Sequence, residues 1–220
     1  MVFICSEGGE GCMIFSENIL ICMALPLLLT AFLVRDNARR LVIFFLIGMA
    51  ACLLGAYVSG FIDVAAGYGT EDTAIFISPV VEEAMKFLPL LFYFLMFGPD
   101  NDRLFTAAVG VGAGFASFEN VCSMITSGTE SLGFLLIRGL AVGVMHIVSI
   151  AALALGLVLA RHYKVSGVSA ILGALSVSML FHGIYNLLAS GNGISSAIGF
   201  CLPIVTAILV FLAYRKLQAK

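Results

Sequence analysis

The stretch SPVVEEAMKFLP, residues Ser78–Pro89, places two adjacent acids and a lysine inside an apolar run from about Ala74 to Phe97. That run is long enough to cross a bilayer as a helix at about 1.5 Å per residue. Each charge in such a helix costs on the order of 2.5–3.5 kcal/mol on insertion scales. Lys86 follows Glu82 by four residues and Glu83 by three, so on a helix it can partly neutralise either acid. The pattern predicts polar chemistry buried in a membrane.

The composition supports a membrane setting for the whole chain. Of its 220 residues, 61% are hydrophobic and 11% are charged, and the mean hydropathy is +1.12. These values lie far from those of soluble globular proteins and indicate a polytopic membrane protein surrounded by lipid. The formal net charge of -2 gives no indication of a nucleic-acid partner.

Long apolar segments alternate with short polar connections along the chain. The short connections leave no room for a soluble domain, so we predict an all-α, polytopic membrane protein with residues 1–220 in one integral membrane domain. Seven candidate spans are predicted: Ser16–Val34, Leu41–Ile62, Ala74–Phe97, Leu104–Thr126, Phe134–Ala160, Ser166–Ala189 and Ser195–Ala213.

The cations predict how these spans are oriented. Nine of the eleven Lys and Arg residues fall in alternate connections and in the C-terminal tail: Arg35, Arg39, Arg40, Arg103, Arg161, Lys164, Arg215, Lys216 and Lys220. Because cytoplasmic loops carry an excess of Lys and Arg, we expect the N-terminus outside and the C-terminus in the cytoplasm. This alternation closes only with seven spans, which supports their number.

Polar residues recur at similar depth in four of the spans. With the predicted orientation, Glu82 lies about eight residues, roughly 12 Å, from the outer end of its span. Glu119, His146, His182 and Asn186 also fall in the outer half of theirs. We therefore predict that these side chains meet in one site near the extracytoplasmic leaflet.

Each polar residue also has a structural explanation. Asn186 alone is as well explained by an interhelical hydrogen bond, although its i,i+4 spacing from His182 favours a joint role. Glu119 can be a protonated acid bonded to a neighbouring helix. Arg138 is expected to snorkel or to pair with an acid, or else to hold a substrate carbonyl group. Lys86 is expected to be a charge partner and not a catalyst.

Small residues and cysteines suggest further local features. Five glycines are predicted to mark close helix contacts: Gly110, Gly112, Gly114, Gly139 and Gly143. Cys5 and Cys12 lie in the outer N-terminal segment, where an oxidising compartment would permit a disulfide.

Two kinds of hydrolytic chemistry fit these acids, imidazoles and the amide. In one, a desolvated carboxylate activates water while His and Asn donors stabilise the oxyanion. In the other, His146, His182 and a glutamate such as Glu119 hold a zinc ion while another glutamate is the base. Helical spacing alone leaves both open, and the cofactor is either Zn²⁺ or none. The sequence has no His-Glu-x-x-His motif, which disfavours a conventional zincin.

Two other classes of protein have to be weighed against a hydrolase. The same groups could form the proton relay of a proton-coupled transporter or channel. The sequence shows no inverted repeat and no paired broken helices, which argues against that class. A scaffold whose polar groups only pair helices is the third alternative.

The motifs together resemble the PrsW intramembrane proteases, a branch of the superfamily of CAAX prenyl proteases and bacteriocin-processing enzymes. The resemblance covers about residues 78–186, in order and spacing as well as residue type. Its motifs are Pro79-x-x-Glu82-Glu83-x-x-Lys86, Gly112-x-Gly114-Phe115-Ala116-x-x-Glu119-Asn120, His146 and His182-x-x-x-Asn186.

The resemblance implies an activity and a role for each motif residue. It implies site-1 cleavage of a single-span membrane protein, typically an anti-sigma factor, at its extracytoplasmic side in a bacterial or archaeal cytoplasmic membrane. Glu82 would be the base with Glu83 beside it, and His146 would complete the site. His182 and Asn186 would bind the scissile carbonyl oxygen.

One departure separates this chain from the prenyl protease branch. That branch has Glu-Glu-x-x-x-Arg and Phe-x-x-x-His, whereas here Lys86 stands one residue earlier and Glu119 replaces the second-motif His. The difference disfavours CAAX substrates. Members of the family are described both as metalloproteases and as glutamate-dependent enzymes, so the resemblance leaves both mechanisms open.

Overall fold

The computed structural model of the chain describes residues 2–5, 12–67, 69, 72–127, 131–163 and 167–218. Within these ranges the chain forms seven α-helices, as the sequence predicts. They are α1 (Ser16–Leu33), α2 (Asp36–Ala66), α3 (Ser78–Phe97), α4 (Asn101–Ser127), α5 (Leu132–Tyr163), α6 (Gly167–Ala189) and α7 (Ile194–Gln218).

Two local features extend the predicted pattern. The third predicted span begins with one π-helical turn, Thr73–Ile77, before the chain continues as α3. Ahead of α1, strands β1 (Val2–Cys5) and β2 (Cys12–Phe15) pair antiparallel. Their register places Cys5 opposite Cys12, but the predicted disulfide concerns side chains that lie outside the described part of the chain.

Five of the helices are long and apolar enough to cross a membrane: α1, α2, α4, α5 and α6. The α3 helix is not among them because it carries Glu82, Glu83 and Lys86 within twenty residues. The outer surfaces of the helices carry many large apolar side chains, among them Leu29, Phe32 and Leu136, as lipid contact requires. The chain is therefore a multi-pass membrane protein, and its orientation remains a prediction.

The α3 helix packs against α2, α4, α5 and α6. This central position explains how it can carry charge: Glu83 and Lys86 point into the bundle and are fully buried, while Val80, Leu88 and Phe92 are exposed. The charged face is thus kept away from lipid, where it would be most costly.

Glycines let α4 approach both of its main neighbours. A Cβ atom at Gly110 would lie 2.8 Å from the carbonyl oxygen of Leu41 in α2, and one at Gly112 would lie 2.8 Å from the Cα of Ile147 in α5. Gly114 is closer still to α2, since a Cβ there would overlap the carbonyl oxygen of Phe45. The predicted close contacts are confirmed at these three positions. The prediction is wrong at Gly143, where a Cβ would meet no atom within 4 Å among the described residues, and at Gly139 the nearest atom, Asn120 Nδ2, lies at an ordinary contact distance of 3.9 Å.

Candidate active site

The predicted site residues come from little more than one turn of α3, residues 82–86, and from one face each of α4, α5 and α6. Glu83, Lys86, His146 and His182 are buried with exposed fractions between 0% and 2%. Glu82 and Glu119 retain 19% and 31% side-chain exposure. The structure therefore divides the acids: Glu83 belongs to the interior, while the other two face a cavity.

Glu83 is the centre of a buried hydrogen-bond network. Lys86 Nζ donates to its Oε1 at 2.5 Å, and Ser149 Oγ donates to its Oε2 at 2.9 Å. His182 Nδ1 lies 2.8 Å from Oε1. Because a carboxylate only accepts, this contact places the His182 proton on Nδ1 and leaves the lone pair on Nε2.

His146 is held between a cation and an acid. Its Nδ1 lies 2.9 Å from Lys86 Nζ, and its Nε2 contacts Glu119 Oε2. Since the ammonium group can only donate, Nδ1 accepts and the proton sits on Nε2, which donates to Glu119. The Phe115 ring packs against the imidazole from one side, with the ring centroids 4.8 Å apart and the planes tilted by 41°.

Glu82 and the two imidazoles form a compact set of potential ligands. Each of these residues offers one ligand atom, and the three atoms, from Glu82, His146 and His182, lie within 4.8 Å of one another. Glu82 Oε2 stands 3.7 Å from His182 Nε2, is buried, and has no hydrogen-bond partner among the described residues.

This donor set fits a catalytic metal ion, provided that His146 Nε2 releases the proton it donates to Glu119 and Nδ1 takes its proton from Lys86, because a ligating nitrogen must be deprotonated. One carboxylate and two imidazoles with a fourth position open are a known zinc arrangement. An unpartnered buried carboxylate oxygen is costly unless something binds it. His182 also has the carboxylate behind its Nδ1 that metal-binding histidines characteristically have. Glu82 takes the place in this cluster that the sequence prediction gave to Glu119, which instead contacts His146.

Asn186 lies one turn beyond His182 on α6. Its Nδ2 donates to the carbonyl oxygen of Ala74 at 3.0 Å and so ties α6 to the π-helical turn. On the other side of that turn, Thr73 Oγ1 donates to Asp63 Oδ1 at 2.8 Å. The turn before α3 is therefore held from both α2 and α6.

A cavity of about 500 Å³ opens beside these acids. We call it the Arg138 cavity, and its walls carry Glu82, Glu119, Arg138, Tyr185, Asn186 and Phe200. Arg138 is the one cation among its described lining residues. Apolar and polar groups share the surface, as a peptide-binding cavity requires.

Ser149 belongs to the network but was not predicted from the sequence. It donates to Glu83, accepts from Lys86 Nζ at 3.1 Å, and its own carbonyl oxygen accepts from Ser178 Oγ at 2.7 Å. Its position three residues after His146 puts both on one face of α5. That spacing was the available signal.

A bundle of apolar helices that buries acids and imidazoles beside a cavity is the arrangement of a membrane-embedded hydrolase. The family model described as PrsW family intramembrane metalloprotease matches residues 36–214 of the chain. The chain belongs to this family, and it is therefore an intramembrane peptidase, as the motif resemblance predicts. The match also disfavours the transporter and scaffold alternatives. Comparison with curated proteins and with solved structures finds no match.

Proposed function

We propose that the protein hydrolyses one peptide bond of a membrane-anchored substrate inside the bundle of α3, α4, α5 and α6. The observation that carries this proposal is the cluster of Glu82, His146 and His182, whose Glu82 lines the Arg138 cavity while the two imidazoles lie buried behind it. This cluster places three potential metal ligands next to a cavity that is large enough to hold a stretch of peptide.

Glu82, His146 and His182 are the proposed metal ligands. His182 would bind through Nε2, whose lone pair faces Glu82, while Glu83 holds its other nitrogen. When bound, a zinc ion would supply Lewis-acid polarisation of the scissile carbonyl group.

Glu119 is the proposed base. It is the more exposed of the two cavity-facing acids, and it contacts His146 at the edge of the ligand cluster. Its carboxylate accepts the proton of the attacking water and returns it to the leaving amide nitrogen as the C–N bond breaks. The resemblance gave the role of base to Glu82, but the unpartnered Oε2 and the contact with His182 favour Glu82 as a ligand.

Glu83, Lys86 and Ser149 position the ligands and do not react. Lys86 compensates the charge of Glu83, and Ser149 occupies its second oxygen. Asn186 is the proposed donor to the substrate carbonyl group. Its side-chain amide has two N–H groups, and since the Ala74 carbonyl oxygen accepts from one of them, the other can donate to the substrate.

The proposed substrate is a single-span membrane protein such as an anti-sigma factor. Cleavage would occur near the extracytoplasmic side of a bacterial or archaeal cytoplasmic membrane. The support is the motif resemblance, together with the positive-inside orientation, which places the acids of the cluster in the outer half of the bilayer.

The two roles of the acids can be separated by measuring metal content and cleavage together. Purified variants in proteoliposomes with a single-span reporter are assayed for bound zinc and for product. Glu119→Gln is expected to keep the metal and to lower kcat by roughly 10²–10⁴-fold, the usual contribution of a general base. Glu82→Gln is expected to lose both metal and cleavage.

Asp100→Asn serves as the matched control, because Asp100 pairs with Arg103 at the surface, with side chains 59% and 58% exposed. Loss of metal in Glu119→Gln with retention in Glu82→Gln would reverse the two roles. Wild-type cleavage in both variants would remove the proposed mechanism.

A further inference from the structure

A second cavity of about 360 Å³ reaches the same two acids from the side of α2. We call it the α2 cavity; Cys52, Ala56, Ser59, Gly60 and Asp63 line it together with Glu82 and Glu119. We propose that this cavity holds water and delivers the hydrolytic water molecule to the acids, while the Arg138 cavity receives the peptide. The proposal rests on the proposed hydrolytic function.

The first argument is the pattern on α2. Cys52, Ala56, Ser59 and Asp63 are spaced by four, three and four residues, so they form one stripe along the helix. The stripe runs over about 16 Å at 1.5 Å per residue. It thus leads from the C-terminal end of α2 down to the level of the acids.

The second argument is a pair of buried oxygens. Ser59 and Glu82 line the cavity, and their buried atoms Ser59 Oγ and Glu82 Oε2 have no hydrogen-bond partner in the described ranges. The Ser59 residue is only 6% exposed. Leaving such a group unpaired costs about 1–3 kcal/mol, whereas a bound water removes that cost.

The third argument is the space and its two ends. A water molecule occupies roughly 30 Å³ of liquid, so the cavity has room for several. Asp63 and Thr73 are hydrogen-bonded at one end, and Glu82 and Glu119 lie at the other. The wall also combines apolar residues such as Ala56 with the hydroxyl groups of Ser59 and Ser78, so water has polar groups to bind along the cavity.

The groups that line the Arg138 cavity explain why we assign the peptide to it and the water to the α2 cavity. The Arg138 cavity is lined by Asn186 and Arg138, which suit the carbonyl groups and polar side chains of a peptide. A peptide lying there would cover the acids from that side. Water then needs a separate approach, and the α2 cavity shares Ala74, Ser78, Glu82 and Glu119 with it.

Gly60→Leu tests the inference by filling the α2 cavity. A Cβ at Gly60 would meet no atom within 4 Å, so a side chain can enter without displacing backbone. We expect kcat for the reporter to fall about tenfold, a barrier increase of roughly 1.4 kcal/mol, with KM unchanged. Gly173→Leu is the matched control, since Gly173 on α6 also has open space around it and is expected to cleave at the wild-type rate.

Ala56→Cys gives a readout that does not depend on activity. The protein in vesicles is treated with a charged methanethiosulfonate or a lipid-soluble maleimide, and the labelled residue is located by peptide mass spectrometry. Labelling of Ala56→Cys by the charged reagent, with Gly173→Cys labelled only by the lipid-soluble one, supports a hydrated cavity. Labelling of Ala56→Cys only by the lipid-soluble reagent would show that the α2 cavity holds a lipid chain and would overturn the proposal that it holds water.

The kinetic outcomes separate the two proposals. A wild-type rate in Gly60→Leu, or a raised KM with unchanged kcat, overturns water delivery, the second result indicating a substrate site instead. If the wild-type protein cleaves no reporter, the proposed function fails, and the labelling of Ala56→Cys still decides whether the cavity is hydrated.

Discussion

Glu83 Oε1 lies 2.8 Å from His182 Nδ1 across the interface between α3 and α6. The same oxygen accepts from Lys86 Nζ at 2.5 Å, so one carboxylate both orients an imidazole and neutralises a buried cation. The contact turns the His182 Nε2 lone pair toward Glu82. Glu83 therefore acts by positioning Lys86 and His182, whereas Glu82 faces the open nitrogen of His182. The structure thus gives different roles to two acids that are adjacent in the sequence.

The Glu83–Lys86 pair is expected to stabilise the bundle only as a pair. Lys86→Met leaves the Glu83 charge without its cation, and Glu83→Gln leaves the fully buried ammonium without its carboxylate. Each single change is expected to destabilise the protein by about 3–5 kcal/mol, and the double variant by clearly less than their sum. Thermal unfolding in detergent measures all four proteins. Additive losses would show that the two side chains do not interact energetically.

Ser149→Ala is expected to weaken metal binding without touching a ligand. It removes the hydroxyl group that donates to Glu83 Oε2 at 2.9 Å, so the carboxylate behind His182 is held less firmly. Loss of a hydrogen bond that supports a metal ligand typically lowers metal affinity by about 10–100-fold, and we expect a loss in this range for Ser149→Ala. Competition with a zinc indicator measures the affinity.

Ser195→Ala supplies the comparison for Ser149→Ala. Ser195 Oγ donates to the Leu188 carbonyl oxygen at 3.3 Å, away from the acids, so this change is expected to leave zinc affinity at the wild-type value. Equal affinities in the wild type and in Ser149→Ala would exclude a role for Ser149 in supporting the site.

The helices and the convergence of the site could be predicted from the sequence because both depend on hydropathy and depth. Apolar length alone predicts where α1 to α7 lie, and the cation pattern places Glu82, Glu119 and His182 at similar height. Rotation about each helix axis was not predictable. That rotation decides that Glu83 faces inward and that Glu82 joins the histidines.

Other features escaped prediction for specific physical reasons. Ser149 is a small residue in an apolar helix, and its value appears only when Lys86 and Glu83 are placed against it. The π-helical turn at Thr73–Ile77 is hydrogen-bonded by Thr73 to Asp63 and by Ala74 to Asn186, partners 10 and 112 residues away in the sequence. The glycine pattern was only partly informative. It shows where another helix could approach closely, but not which of the glycines actually faces a neighbouring helix.

The glycines provide a test of how closely α4 must pack. Gly112→Ala would place a methyl group 2.8 Å from Ile147 Cα and 2.9 Å from the His146 carbonyl oxygen. Backbone atoms cannot yield as a flexible side chain does, so α4 and α5 must separate and the contact between Glu119 and His146 lengthens. We expect a loss of about 1–3 kcal/mol in stability, typical of overpacking, together with lower activity.

Gly143→Ala is the matched control on the adjoining helix. A Cβ there meets no atom within 4 Å, so the change is expected to be neutral or to stabilise the helix by up to about 1 kcal/mol. Equal melting temperatures for Gly112→Ala and Gly143→Ala would contradict the close approach of α4 to α5.

Removal of metal should affect stability as well as activity, because the proposed ligands come from three different helices, α3, α5 and α6. A ligand that binds only the folded state stabilises it by about 2.7 kcal/mol when present at 100 times its dissociation constant. Treatment with a chelator is therefore expected to abolish cleavage and to lower the melting temperature, and added zinc should restore both. His182→Ala should melt at the same temperature with and without chelator, since its site is already incomplete. A chelator-sensitive melting temperature in His182→Ala, equal in size to that of the wild type, would place the metal elsewhere in the protein.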